Sequence, residues 1–342
     1  MSTKIRIAVD AMSGDLGPRI AIRAAEKFVA EERHCDIWLF GDEHQLRQFY
    51  KASRDPYHQI NIVHCTEKVT MDDNPLQVIR HKKSSSMYQA LSALAKGDVE
   101  ASVSAGNTGA LLVMAKHLVG MIKGIERPAI CKSMPVQKGQ TFMLDLGANI
   151  NCTPEQLHQF ALMASTLVMK TNFKNPAIDE DESEKPKVGL LNIGTEHTKG
   201  TELLQLAQTI FAQEKRFNYV GFIEANEIFS GNCDVIACDG FHGNIALKAS
   251  EGTARFIGDK IQSALKGSFM VRIGLFLIWP VIKSLKLSLD PSLYNGASLL
   301  GLNKTVIKSH GSANKKAFLQ AIRVAHEQAL QNIPQKISSC LD

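Results

Sequence analysis

The chain has 342 residues, 44% hydrophobic and 21% charged, an ordinary globular balance with ample apolar material for a core in one large domain or two. The formal net charge of +5 is matched by one stretch, 260–286, and aromatics are only 6%, so the basic stripe with interleaved aromatics typical of nucleic-acid binders is missing. The seven cysteines are scattered without CxxC or Cys/His spacing, which favours free thiols in a reducing cytoplasm over a zinc site.

Ile5 to Val9 reads as a buried first strand. Lys4 and Arg6 lead straight into it without an apolar run, so no signal peptide is expected. A helix begins at about Pro18, where proline suits a first turn. Asp36 to Phe40 and Ile60 to His64 are predicted strands, with a helix over Glu43 to Ala52 between them. Met87 to Lys96 and Thr108 to Leu118 are predicted helices flanking a strand, Ala101 to Val103. After a strand at Thr141 to Leu144, Thr153 and Pro154 mark the cap and first turn of a helix to about Lys170. Residues 175–186 are rich in Pro, Asp, Glu, Ser and Lys and read as an exposed acidic loop. Lys187 to Ile193, Tyr219 to Ile223, Val235 to Cys238 and Thr305 to Ile307 supply the remaining strands.

Strands alternating with helices predict an α/β fold: a doubly wound, mostly parallel, Rossmann-like sheet with helices on both faces, formed as one domain over 1–342. The basic segment 260–286 carries Lys260, Lys266, Arg272, Lys283 and Lys286. Phe269 to Ile282 within it is apolar, with Phe276 and Trp279, but shorter than the roughly 20 residues a spanning helix needs. It suits a protruding amphipathic helix or hairpin in the interface of an anionic membrane, with a buried helix or a dimer contact as the alternative.

Function is sought in the polar loops that follow the strands. Six combine glycine with Asn, Thr, Ser or Asp: Asp10 to Asp15, Ser104 to Ala110, Asp145 to Asn149, Asn192 to Glu196, Asp239 to Asn244, and Lys308 to Ser312. In a parallel sheet all six are expected to meet at one end of the strands. Helix-initiating amides there favour an anion, and Asn244 and Lys248 share a helix face. Each loop also has a plain structural reading: Asp10, Asp145, Asn149 and Asp239 hold turns or cap helices, and Lys248 pairs with Glu251 on a solvated face. No GxGxxG follows the first strand, no GxSxG elbow occurs, and Lys199 and Gly200 are in the wrong order for a P-loop.

The ordered set Asp10-Ala-Met-Ser-Gly-Asp15, Lys82-Lys83-Ser-Ser-Ser-Met87, Ser104-Ala-Gly-Asn-Thr-Gly-Ala110, Arg127-Pro-Ala-Ile130, Leu144-Asp-Leu-Gly-Ala-Asn149, Leu191-Asn-Ile-Gly-Thr-Glu196, Asp239-Gly-Phe-His-Gly-Asn244 and Ile307-Lys-Ser-His-Gly311 resembles the PlsX family of bacterial phosphate acyltransferases. Ser13 stands where that family usually has glycine, and Phe222 to Glu227 departs from its Asn-x-Glu-Gly pattern. The resemblance implies attack of inorganic phosphate on an acyl carrier protein thioester for phospholipid synthesis, with no covalent intermediate, metal or cofactor. It also implies a homodimer, a cytoplasmic chain on the inner face of the membrane, and kinship to the isopropylmalate dehydrogenase-like architecture.

On that reading Ser104, Gly106, Asn107, Thr108, Asn192, Gly194, Thr195, Gly243 and Lys308 bind phosphate or the oxyanion. Asn244, Lys248, His242 and His310 are catalytic, one histidine protonating the thiolate. Arg80, Lys82 and Lys83 form a docking patch for the acidic carrier or a solvated helix end, and Arg272, Phe276 and Trp279 meet the membrane. A coenzyme A thioester transferase, a dehydrogenase of the same architecture and a membrane scaffold are the rival readings.

Overall fold

The computed structural model describes residues 4–137, 139–170, 185–265 and 290–341. The acidic loop as far as residue 184 and the basic segment from 266 to 286, with Arg272, Phe276 and Trp279, lie outside the described residues.

In chain order the elements are β1 (Ile5–Asp10), α1 (Pro18–Glu31), β2 (Cys35–Gly41), α2 (Glu43–Phe49), β3 (Ile60–His64), α3 (Pro75–His81), α4 (Ser86–Lys96), β4 (Ala101–Ser104) and α5 (Thr108–Leu118). There follow β5 (Ala129–Pro135), β6 (Gln140–Leu144), α6 (Pro154–Lys170), β7 (Lys187–Asn192), α7 (Glu202–Gln213), β8 (Asn218–Glu224), β9 (Val235–Ala237) and α8 (Gly240–Leu265). The last are β10 (Ala297–Leu300), β11 (Thr305–Lys308), α9 (Lys315–Leu330) and α10 (Ile333–Leu341). Local chemistry sets many boundaries. The Ser85 hydroxyl accepts the Tyr88 N–H at 3.3 Å to start α4, which ends at Gly97 with φ of 81°. Thr153 and Gln156 cap α6 reciprocally, each side chain accepting the other's backbone N–H at 3.2 and 3.1 Å.

The described strands form one sheet in the order β3-β2-β1-β4-β11-β10-β5-β6-β9-β7-β8. Its two flanks are parallel, but β11–β10, β10–β5 and β5–β6 are antiparallel. Three reversals leave β6, β9, β7 and β8 running opposite to β1, β4 and β11. This corrects the expected meeting of six loops: those after β1, β4 and β11 leave one end of the strands, and those after β6, β7 and β9 leave the other. The two strands that cause it, β5 and β10, are also those the sequence pattern did not suggest.

One face of the sheet carries a core that spans both halves, with Ala8, Met87, Leu111, Met143, Ile236 and Val306. The other face is divided between a cluster around Phe28, Ile22 and Phe318 beneath α1 and α9 and one around Phe160, Leu157 and Phe211 beneath α6 and α7. Fully buried side chains such as Phe28, Phe160 and Phe211 each contribute about 1.5–3 kcal/mol of hydrophobic stabilisation. Helix α8 crosses the shared face. Its first turns bury Gly243, and Ala246 and Leu247 pack on the common core. From Gly252 to Ile261 every residue is exposed, including Phe256, Ile257 and Ile261. No helix among the described residues is long and apolar enough to cross a membrane.

Candidate active site

A polar row crosses the shared face where β1, β4 and β11 end. Asp10 pairs in register with Ser104, Ser104 with Lys308, and Lys308 with Ala297 of β10, so these side chains project from the same face. The Asp10 carboxylate is buried and accepts the Ser86 and Ser104 hydroxyls at 2.6 and 2.7 Å. Burial pushes its carboxyl up, against the pull of those hydrogen bonds. Ser13 donates to the Asp10 carbonyl at 3.1 Å and accepts the Ala105 N–H at 3.0 Å, so its hydroxyl ties the first loop to the second. Gly106 lies against Met87: a Cβ there would come within 2.5 Å of the methionine Cε.

The second group forms where β6 and β9 end. Asp145 is buried and accepts the N–H groups of Ile130, Ala148 and Asn149 at 2.9, 3.1 and 2.6 Å, while Asn149 Nδ2 donates to it at 2.9 Å. Burial nonetheless pushes this carboxyl up. Asp239 caps α8 by accepting the Phe241 and His242 N–H groups, both at 3.0 Å, and its other oxygen meets His242 Nδ1 at 2.6 Å. Gly240 and Gly243 let α8 press on the Asp145 loop. A Cβ on Gly243 would be driven into the Asp145 carbonyl oxygen. Asn244 lies over Gly147 of the same loop, 3.5 Å from where a Cβ would stand.

Helix α8 joins the groups. At 100° per residue, Asn244, Lys248 and Glu251 share a face, and Lys248 lies about 12 Å along the axis from Gly240. Glu251 binds Lys132 of β5 at 3.1 Å and Lys248 at 3.4 Å. Burial works against the Glu251 charge, but the two lysines hold its carboxyl below the usual range. Lys308 donates to the Ser309 carbonyl, and burial pushes its ammonium down to about 8. Burial also lowers His310, which feels Glu251, Lys248, Lys308 and Lys132 together. His310 Nδ1 accepts the Ser312 N–H at 3.1 Å, so the neutral ring carries its proton on Nε2.

The structure thus brings Lys248, Lys308 and His310 together and sets Asn244 on the same side of α8. His242 is two residues from Asn244, some 200° around the helix, and is engaged by Asp239. Ser104 and Asn107 have committed side chains. The Ser104 proton goes to Asp10, while Asn107 caps α5 through Ala110 at 3.0 Å and donates to the Met71 and Asp73 carbonyls at 2.8 and 3.3 Å. Asn192, Gly194 and Thr195 follow β7 at the far end, where Asn192 donates to the Lys199 carbonyl at 3.1 Å and accepts the Ile193 N–H at 2.8 Å. Glu224 caps a short turn at Ala225–Glu227 by a reciprocal exchange with Glu227. Of the basic patch, Arg80 and Lys83 are exposed, whereas Lys82 binds Asp73 at 3.2 Å.

Two residues escaped the sequence reading. Lys132 lies in β5, two residues beyond the Arg127 to Ile130 motif. Asn295 is buried between Tyr294 and Gly296; it donates to Ser309 Oγ and the Ala317 carbonyl, both at 2.8 Å, and accepts the His310 N–H at 3.1 Å, fixing the loop that carries Lys308 and His310.

The architecture is one shared with phosphotransacylases and with a dehydrogenase. A phosphotransacetylase from Streptococcus pyogenes superposes with a TM-score of 0.61 at 15% identity, covering 96% of this chain and 95% of that one. A 4-hydroxythreonine-4-phosphate dehydrogenase from Burkholderia phymatum gives 0.50 at 14% identity, covering 94% and 98%. At such identities the likeness is one of fold. Sequence goes further: the family model described as Fatty acid synthesis protein matches residues 5–336, and the chain is 53% identical over 337 residues to the phosphate acyltransferase of Cellvibrio japonicus, covering 98% of each. The chain belongs to this family, the PlsX family.

Proposed function

We propose that this chain is a phosphate acyltransferase that moves a fatty acyl group from an acyl carrier protein thioester to inorganic phosphate. The observation that carries the reading, beyond family membership, is the convergence of Lys248, Lys308 and His310 beside a helix-bound Asn244, in a cluster where Glu251 faces Lys248 and His310 while Asp10 and Asp15 act on Lys308. Near neutral pH phosphate carries between one and two negative charges, its second pKa lying a little above the roughly 6 of a phosphate ester. It needs a cradle and a position more than activation. Lys308 and Lys248 hold it while an oxygen attacks the thioester carbonyl. The C–O bond forms, the C–S bond breaks with its electron pair going to sulfur, and the proton given up by phosphate ends on the released thiol.

The Nε2–H of His310 suits donation to the carbonyl oxygen as its charge develops. Because Nδ1 already accepts a backbone N–H, the ring is better placed to polarise than to act as an acid. Arg80 and Lys83, near the Met71–Asp73 segment that Asn107 tethers, would steer an acidic carrier toward this mouth. The apolar residues along the exposed half of α8, leading into the basic segment, suit a membrane surface or a second copy of the chain.

The test is phosphate-dependent thiol release from a long-chain acyl carrier protein, with acyl-phosphate trapped by hydroxylamine. Release is expected from the carrier thioester in preference to the coenzyme A thioester. No release from either, with or without magnesium, overturns the reading.

A further inference from the structure

The polar row does not stop at Lys308. Ala297 pairs with Lys308 on one side, and on the other β10 pairs with β5 through Ser298 and Cys131. Continuing that antiparallel register by one residue sets Lys132 opposite Ala297, on the same face. Two lysines therefore flank an alanine, their Cα atoms about 10 Å apart at roughly 4.8 Å per strand. Ala297 is buried and offers only a methyl group between the two long side chains. Glu251 hangs over this row from α8, with one oxygen toward Lys132 and the other toward Lys248.

We propose that Lys132 is a further phosphate-binding residue of this site, that Ala297 is the floor of the seat, and that Glu251 is an internal counter-ion which the incoming phosphate displaces. The inference rests on the phosphate acyltransferase reading and adds to it a residue that no motif marks. Glu251 satisfies Lys132, so the ammonium is not left half-buried without a partner. When a dianion enters, it meets lysines arriving from two strands and one helix, an arrangement that a tetrahedral anion with several oxygens can satisfy at once. The carboxylate also keeps singly charged anions from binding tightly, because each must compete with an intramolecular rival.

The experiment measures inorganic phosphate binding to the full-length protein by calorimetry, alongside the phosphate and acyl-donor KM values. Lys132→Gln is expected to weaken phosphate binding and raise the phosphate KM about tenfold, the loss of one charge-assisted hydrogen bond, with the acyl-donor KM unmoved. Lys132→Arg should restore most of the binding. Glu251→Gln should tighten phosphate binding by removing the competitor. Unchanged phosphate binding in a folded Lys132→Gln protein overturns the proposal, as does an equal rise in both KM values that tracks a lowered Tm. If the wild type binds phosphate through Lys132 but releases no thiol, the acyltransferase reading fails and the anion seat stands.

Discussion

Lys308 stands at the end of β11 with its ammonium pushed down to about 8 by burial, close to working pH. In the free enzyme it loses its charge as pH rises through that value, so kcat/KM for phosphate should fall above about pH 8. A bound dianion holds the proton on, and kcat should fall only at higher pH. Lys308→Arg, which stays charged, should abolish the limb; a limb left in place would assign the titration to another group. The same shift acts on stability. The cost of the buried charge is full below pH 8 and is relieved between there and the unfolded value near 10.5, so this group's contribution improves as pH rises through that window. For His310, whose Nε2–H faces the developing oxyanion in the proposed mechanism, His310→Ala should lower kcat by about 10²–10³ with little change in phosphate KM. A wild-type kcat would remove it from the mechanism.

At the level of elements, α8 is anchored by contact at one end and, among the described residues, bare at the other. Gly243→Ala should cost about 1–3 kcal/mol, because its Cβ meets the backbone of the Asp145 loop, while Gly258→Ala, whose Cβ meets none of the described residues, should gain up to about 1 kcal/mol from helix propensity. Thermal unfolding of both variants checks the contrast; equal effects would mean the Asp145 loop yields freely. The strands that read clearly in the sequence are those with mostly apolar runs, such as Ile5 to Val9 and Val235 to Cys238. In β5 the run is broken by Lys132 and Ser133, and β10 opens on the small residues Ala297 and Ser298, so periodicity had little to grip. Missing those two strands also meant missing the change of direction, and with it which loops share an end. Candidate residues within glycine motifs could be picked out because turn chemistry marks them. Lys132 and Asn295 were not, since they reach the site through strand register and side-chain bonding that only the folded chain creates.

Across the whole molecule, the exposed Phe256, Ile257 and Ile261 leave an apolar stretch on α8 without cover among the described residues, at 60%, 49% and 44% exposure. Ile257→Asp with Ile261→Asp should leave phosphate-dependent chemistry intact while lowering co-flotation with anionic liposomes or the sedimenting mass of the protein. No change in either would make the stretch ordinary surface.

The order of the sheet has a further consequence for the growing chain. β10 and β11 are the last strands in the sequence, yet they lie between β4 and β5, joining two half-sheets formed from earlier residues. During synthesis both halves therefore wait with an open strand edge, the kind of surface that invites pairing with the wrong neighbour. The strand that closes the seam also delivers Lys308, so a chain cut short before residue 297 would be left both without its closure and without that lysine.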